Sequence, residues 1–341
     1  MSDIKIIKDL EELRDSIETI DTDFVLILVD ANVYNIYRKK FDFLNFKSKK
    51  VAVWKCLEGE RTKSYDELKN ALEFFLSKKA HRNAHLVAFG GGAASDFGGL
   101  VASMLLRGVK WSVIPTSLLG MIDAAVGGKV AINSEHGKNL VGAFHLPENV
   151  FIFQDFLETL PDINILGGKG EMLKYCFLSK KINEAILSDS SLSEIIELCA
   201  RYKQEIVDAD FKEGGKRKIL NLGHTLGHAF ERIYELEHGI AVFWGMVVMF
   251  YIFEDEEDLV NLRALVDKLE LNFGDSPWFN KTFPVEDIMN YIRNDKKASS
   301  VERLDIVRLD GLGQPVIENV LFTDIENKLS EKKDELRKFI L

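Results

Sequence analysis

Leu86-Val87-Ala88-Phe89-Gly90-Gly91-Gly92-Ala93-Ala94-Ser95-Asp96 is the stretch that decides the fold class. Four apolar residues in succession lack the alternation of a half-exposed strand, so they read as a strand buried on both faces. The run stops at three glycines, and small residues then open a helix. Strand, glycine turn and helix in that order form one βα unit of a parallel sheet. Small residues at the turn let backbone N–H groups approach a pyrophosphate at the helix N-terminus. The strict dinucleotide fingerprint has glycine where this chain has Ser95, so the turn alone fits a cofactor site or a plain tight turn.

The same alternation extends outward in both directions. Residues 24–29, Phe-Val-Leu-Ile-Leu-Val, form a continuous apolar run that ends at Asp30, with Asn32 just beyond. Residues 51–54, 112–115 and 150–153 are further strand candidates, and Tyr65–Ser77 reads as a helix with Leu68, Leu72, Phe75 and Leu76 on one face. Strands alternating with helices imply an α/β fold with a parallel, doubly wound sheet. After Pro161 glycines thin out beyond Gly170, and helical periodicity dominates to about residue 270. A chain of 341 residues exceeds what one core usually serves. The expectation is two domains, 1–160 and 161–341, with a charged amphipathic helix over the tail at 330–341.

Composition narrows the function classes. Hydrophobic residues at 46% and charged residues at 29% fit a globular chain with a sizeable core. A formal net charge of −10 excludes a general nucleic-acid binder. No apolar run is long enough to span a membrane, and the start, Met1-Ser2-Asp3-Ile4-Lys5, has no signal pattern. Cys56, Cys176 and Cys199 are widely spaced and suit a reducing, cytoplasmic setting.

Chemistry concentrates in three places. Leu220-Asn221-Leu222-Gly223-His224-Thr225-Leu226-Gly227-His228, followed by His238-Gly239, holds three of the seven histidines. His224 and His228 are four residues apart and share one face of a helix. Such a pair can grip a divalent metal, or one can bind while the other handles protons, or both can be half-buried helix residues with no ligand. Upstream, Asp123-Ala124-Ala125-Val126-Gly127-Gly128-Lys129 and Gly137-Lys138-Asn139 place lysines beside glycines, a pattern that suits an anion cradle. Glu171 and Lys174 follow Gly170 at helical spacing, and Lys203, Glu213, Arg217 and Asn221 precede the histidines. Taken as one set, these residues call for a metal, a dinucleotide and a small substrate carrying phosphate and carboxylate.

The order and spacing of these blocks resemble the sugar-phosphate cyclases, and most closely the 3-dehydroquinate synthase family of the shikimate pathway, which serves aromatic amino acid biosynthesis. The matching blocks run from Asp30 to Lys297. The resemblance implies a Rossmann-like NAD domain followed by a mainly helical metal-binding domain, in a homodimer. It assigns the divalent metal, zinc or cobalt, to Glu171, His224 and His238, and leaves His228 as a proton-transfer residue. It assigns NAD to Asp30, Asn32, Glu60, Lys63, Gly91, Gly92, Ala93, Ala94, Ser95, Asp96, Thr116, Ser117, Asp123, Lys129, Lys138, Phe156, Leu157, Glu158 and Thr159. The substrate shell it implies is Arg107, which reaches into a partner's site, with Asp123, Lys129, Lys138, Asn139, Lys174, Lys203, Arg217, Asn221 and Lys296. Lys129, Lys174, Glu213 and Asn221 join His228 as catalytic residues.

The chain departs from the family pattern at Ser95, Ser117, Phe211 (for an acidic residue), Ile240 (for glutamate after His238-Gly239) and Ala298. The Ile240 change implies weaker support for the metal ligand His238. Sister cyclases acting on other sugar phosphates, metal-dependent polyol dehydrogenases of the same fold and a catalytically silent scaffold are the competing readings.

Overall fold

The computed structural model describes residues 1–39, 46–294 and 302–339. The chain divides into two compact units, one of residues Met1–Pro161 with Ile196–Lys212, the other of Asp162–Ile195 with Glu213–Leu341. The segment Ile196–Lys212, read from sequence as part of the helical domain, thus belongs to the first unit. Side chains account for this: Gln204 donates to the Ser2 carbonyl, Lys203 binds Asp123, and the Phe211 ring meets Phe144 edge-on.

The first unit is an α/β layer. Its strands are β1 (Asp3–Ile7), β2 (Phe24–Asp30), β3 (Lys50–Cys56), β4 (His85–Gly90), β5 (Lys110–Pro115) and, after a separate two-stranded ribbon of β6 (Lys129–Ser134) and β7 (Gly137–Phe144), β8 (Asn149–Phe153). The six-stranded sheet has the order β1-β8-β5-β4-β2-β3 and is parallel throughout. Every residue of β2 and β4 is buried, which is why both read as unbroken apolar runs. Helices α1 (Leu10–Glu18), α2 (Ala31–Tyr37), α3 (Tyr65–Ser77) and α4 (Gly92–Met104) connect the strands. The chain passes from β2 to β3 on one side and returns to β4 on the other. The carboxyl ends of β2 and β4 therefore flank the point where ligands bind in such sheets. Asp30 ends β2 and Gly90 ends β4, and a Cβ on Gly90 would meet those of Ala94 and Asp30 at 2.6 and 3.0 Å.

The second unit is mainly helical: α5 (Asp162–Leu178), α6 (Lys180–Leu187), the start of α7 (Leu192–Ala209), α8 (His224–Tyr234), α9 (His238–Ile252), α10 (Glu256–Lys268), α11 (Val285–Asn294) and α12 (Phe322–Leu336). A hairpin of β9 (Arg303–Leu309) and β10 (Pro315–Leu321) completes it. The tail helix thus starts at Phe322, eight residues before the sequence reading placed it, because Phe322, Ile325 and Leu329 already form its buried stripe. Helix α9 is apolar on all sides and almost wholly buried, so it is the central helix of this unit. No helix among the described residues is long and apolar enough to cross a membrane.

At the amino ends of the strands, His85 is buried and shares a 2.8 Å hydrogen bond with the Ser112 hydroxyl, which also accepts from Asn149. Burial pushes the imidazole down from 6.5 to about 4, against the raising field of Glu148. The unfolded chain therefore takes up a proton first as the pH falls. The neutral ring contributes stability that is complete above pH 6.5 and is lost as the pH falls toward 4. At 1.36 kcal/mol per pKa unit this is roughly 3 kcal/mol. His85→Gln, measured by urea unfolding across that window, should show a total change in stability smaller than the parent's by about that amount. Parallel slopes would place the acid sensitivity elsewhere.

Candidate active site

In the second unit, three helix backbones pack closely enough to bring their side chains to one centre. Helix α5 carries Gly167, Gly168 and Gly170 in its interior, where each glycine costs about 1 kcal/mol relative to alanine. Close packing offsets that cost: a Cβ on Gly239 would collide with the Gly167 carbonyl, and one on Gly170 with the Gly239 carbonyl. Gly245 of α9 likewise abuts the Gly223 carbonyl and the Gly227 nitrogen at the start of α8. Glu171, one residue beyond Gly170, therefore meets His238 at the first turn of α9 and His224 at the first turn of α8.

Glu171 Oε1 lies 3.3 Å from His224 Nε2 and 3.2 Å from His238 Nε2. Two donors on one tetrahedral ion with bonds of about 2.05 Å stand roughly 3.3 Å apart, so the set fits a zinc-sized divalent ion. The distal ring nitrogens are also placed for it. His224 Nδ1 faces the Leu222 carbonyl at 3.1 Å and His238 Nδ1 faces Glu231 at 2.9 Å, which leaves each Nε2 turned to Glu171. Burial drives the His224 imidazole well below its usual range, so it is the neutral, lone-pair form. Burial opposes charge on His238 too, but its hydrogen bonds with Glu171 and Glu231 outweigh that and push it up to about 9. The centre thus favours positive charge.

His228 completes the cluster. Its ring lies 5.3 Å from that of His224 and 5.7 Å from that of His238, and one ligand atom from each of the three histidines falls within 4.8 Å of the others. Lys174 is 1% exposed and binds Glu171 Oε2 at 2.6 Å, so it grips the carboxylate from behind. Sequence reading placed Lys174 among the catalytic and substrate-binding groups; its ammonium is here paired with Glu171. Arg217 is buried, and Asn221 donates to Glu213 at 3.0 Å. Both Arg217 and Asn221 lie on a 3-10 turn, Lys216–Asn221, pinned to β9 by Lys218 and Asp305 at 2.7 Å. Lys296 lies outside the described residues.

In the first unit, Gly91 caps α4 without a side-chain hydrogen bond, so the first-turn N–H groups of Gly92 and Ala93 suit an external anion such as a pyrophosphate. Ser95 turns its hydroxyl onto the Gly91 carbonyl at 3.1 Å, and Ala94 is buried, so neither side chain obstructs the turn. Thr116 is tied to Gly90 through its N–H, and the Ser117 hydroxyl accepts from Gly120. Asp30 accepts from the N–H groups of Asn32 and Val33 with one oxygen and from Gly59 with the other. Its carboxylate shapes the strand end and the turn at Gly59–Thr62 that carries Glu60. Buried Lys63 binds Asp96 at 2.6 Å and also Asn139, while Asn133 donates to Glu60 at 2.9 Å. Burial raises the Asp96 carboxyl against the lowering field of Lys63. Phe156 and Leu157 are buried, Phe156 packing on Tyr37, Phe89 and Phe153, and Thr159 bonds the Tyr37 hydroxyl at 2.8 Å; Glu158 is exposed beside them.

The glycine-framed lysines fall on the β6–β7 ribbon. Lys129 starts it opposite Phe144, and Lys138 lies near its turn, where Ser134 pairs with Gly137, so the two are not neighbours in one loop. Lys203 donates to the backbone and carboxylate of Asp123 at 2.7 and 2.8 Å, and Asp123 sits on a π-helical turn, Gly120–Ala124. Such turns occur frequently at functional sites. Arg107 is exposed within a run of positive φ, Leu106 at 54°, Arg107 at 70° and Gly108 at 109°. Glu231 escaped the sequence reading. Glu231 had a signal: it lies seven residues after His224 and three after His228, on the same helical face.

Residues 53–166 match the family model for the 3-dehydroquinate synthase N-terminal domain, and 168–298 that for its C-terminal domain. A 3-dehydroquinate synthase of Staphylococcus epidermidis is 36% identical over 310 residues, covering 86% of this chain and 85% of its own. Among solved structures, a 2-deoxy-scyllo-inosose synthase complexed with carbaglucose-6-phosphate, NAD+ and Co2+ superposes with a TM-score of 0.81 at 23% identity, covering 96% of each chain. The 2-epi-5-epi-valiolone synthase of Streptomyces hygroscopicus subsp. jinggangensis, with NAD+ and Zn2+ bound, gives 0.80 at 22% identity, covering 98% of this chain and 97% of its own. These two share the fold.

The helix contact at Gly239 tests the geometry. Gly239→Ala would force α9 away from the Gly167 carbonyl. Overpacking typically costs 1–3 kcal/mol, and rigid backbone on both sides puts this site at about 3 kcal/mol or more. The Tm and the affinity for added Zn2+ or Co2+, measured together, should both fall. A variant with parental Tm and metal affinity would show that the helices separate without disturbing Glu171 and His238.

Proposed function

The chain belongs to the 3-dehydroquinate synthase family, and we propose that it converts 3-deoxy-D-arabino-heptulosonate 7-phosphate to 3-dehydroquinate and phosphate, with catalytic NAD and a divalent metal. The observation that carries this reading is that Glu171 Oε1 meets both His224 Nε2 and His238 Nε2 at spacings that one small ion would give. NAD supplies a hydride acceptor and donor at one substrate carbon, and the metal supplies a Lewis acid for its hydroxyl oxygen. Glu171, His224 and His238 would hold the metal; the turn from Gly91 to Asp96, with Lys63, Glu60 and Thr116, would hold NAD.

The remaining side chains bind and orient the substrate and move protons. Lys129, Lys138 and Asn139 belong to the anion-binding shell, whose ammonium charges stabilise the phosphate as it departs. Lys203, Arg217 and Lys296 add the cationic groups that a second anionic group on the substrate calls for, and Asp123, already bonded to Lys203, accepts from a substrate hydroxyl. His228 moves the proton of the hydroxyl that is oxidised, a task suited to imidazole near neutral pH. Glu213 fixes the Asn221 amide for a hydroxyl contact. We place the enzyme in the cytoplasm as a homodimer, with Arg107 serving the partner's site.

Three measurements test the reading. Incubation with the heptulosonate phosphate, NAD and zinc or cobalt should release phosphate and carbocyclic product together, with no net NADH at 340 nm; stoichiometric NADH would indicate a polyol dehydrogenase. His224→Ala and Glu171→Ala should lose metal and activity, whereas His228→Ala should keep metal and lose rate. The kcat/KM ratio for the heptulosonate phosphate over sedoheptulose 7-phosphate or glucose 6-phosphate should be large, since an unpaired buried charge costs about 2–5 kcal/mol. A ratio at or below one would assign the chain to a sister cyclase.

A further inference from the structure

We infer that Glu231 is a positioning residue for His238: its carboxylate accepts the Nδ1 proton and keeps the Nε2 lone pair aimed at the metal-binding centre. The inference rests on the reading of Glu171, His224 and His238 as the ligand set, and it names what that set needs but does not itself contain.

An imidazole ligand must present one bare nitrogen, and which nitrogen is bare depends on the hydrogen bond made by the other. The two histidine ligands meet this requirement differently. His224 Nδ1 faces the Leu222 carbonyl, two residues before it, so its tautomer follows from the backbone. His238 has Glu231 Oε2 at 2.9 Å on Nδ1 and Glu171 Oε1 at 3.2 Å on Nε2. Its orientation therefore depends on a side chain from the preceding helix.

Local structure gives His238 little else. It is the first residue of α9, and the cap residue Glu237 makes no side-chain capping bond. The connection from α8 is only Glu235–Glu237, with Glu235 in the left-handed region at φ 53°. The position where an acidic residue was sought from sequence, Ile240, is 7% exposed, and its N–H lies against Gly170. Residue 240 is thus a packing position of the α5–α9 contact. The acidic support comes from α8, where Glu231 shares a face with His224 and His228, so one helix supplies a ligand, a proton-transfer residue and the support of the second ligand.

The test uses the full chain, stripped of metal and titrated with Co2+ against a chromophoric chelator, with the cobalt d–d spectrum as a second readout. Loss of such a support typically weakens metal binding about 10- to 100-fold. Glu231→Ala should show that loss and an altered cobalt spectrum, while Glu231→Gln, which keeps an acceptor oxygen, should fall between it and the parent. His238→Ala is the reference. Parental cobalt affinity and spectrum in both Glu231 variants, with affinity lost in His238→Ala, would overturn the inference and leave the metal reading standing. Parental affinity in His238→Ala as well would overturn the metal reading itself. Should Glu231→Ala fail to fold, Glu231→Gln decides alone: weakened cobalt binding supports the role of Glu231, and unchanged binding refutes it.

Discussion

The backbone-to-backbone contact of α5, α8 and α9 is the constraint on which the proposed metal centre depends. Glycines at 170, 223, 239 and 245 leave no room for a Cβ at the points where these helices touch, and Gly227 leaves very little. That close approach places the Glu171 carboxylate between His224 and His238 at distances that one small ion would impose. Glycines inside the helices, such as Gly170, Gly227 and Gly245, are unfavourable for their own helix, so local propensity and tertiary packing oppose one another there. Such conflicts concentrate at functional sites, where the surrounding structure holds what the local sequence would not choose.

The first unit meets the opposite demand. Its sheet is built from residues that agree with their strands at every level, and β2 and β4 are buried along their whole length. The chemistry sits at the carboxyl ends, where strands give way to turns. Asp30, Gly91 and Ser117 each use their polar groups or their lack of a side chain to shape those turns. A rigid sheet thus presents adaptable backbone donors, an arrangement suited to an anionic cofactor.

Charge follows the same economy. The chain is acidic overall, with a net charge of −10. Yet its buried cations are concentrated at Lys63, Lys174, Lys203 and Arg217, all proposed site residues. Asp96, Glu171 and Asp123 face three of these in short ion pairs. Burying a charge is tolerable only where it is paired, so these pairs hold the site's geometry in the protein alone. Lys174 is an example: it pairs with the Glu171 carboxylate from a position closed to solvent.

The sequence by itself determined the parallel α/β unit, the helical unit after Pro161 and the identity of the chemical groups, because hydrophobic period, glycine turns and residue spacing are local properties. The run 24–29, the turn after Phe89 and the shared face of His224 and His228 are all visible within a few residues. Only the tertiary structure decided which groups meet. It moved Ile196–Lys212 to the first unit through Lys203 and Phe211. It made the lysine-rich middle an antiparallel ribbon, a pairing that weak alternation and interspersed glycines conceal. It turned Lys174 onto Glu171 and brought Glu231 to His238. The last contact joins residues seven apart across a helix end, where the path of the intervening turn sets the partner and sequence distance does not.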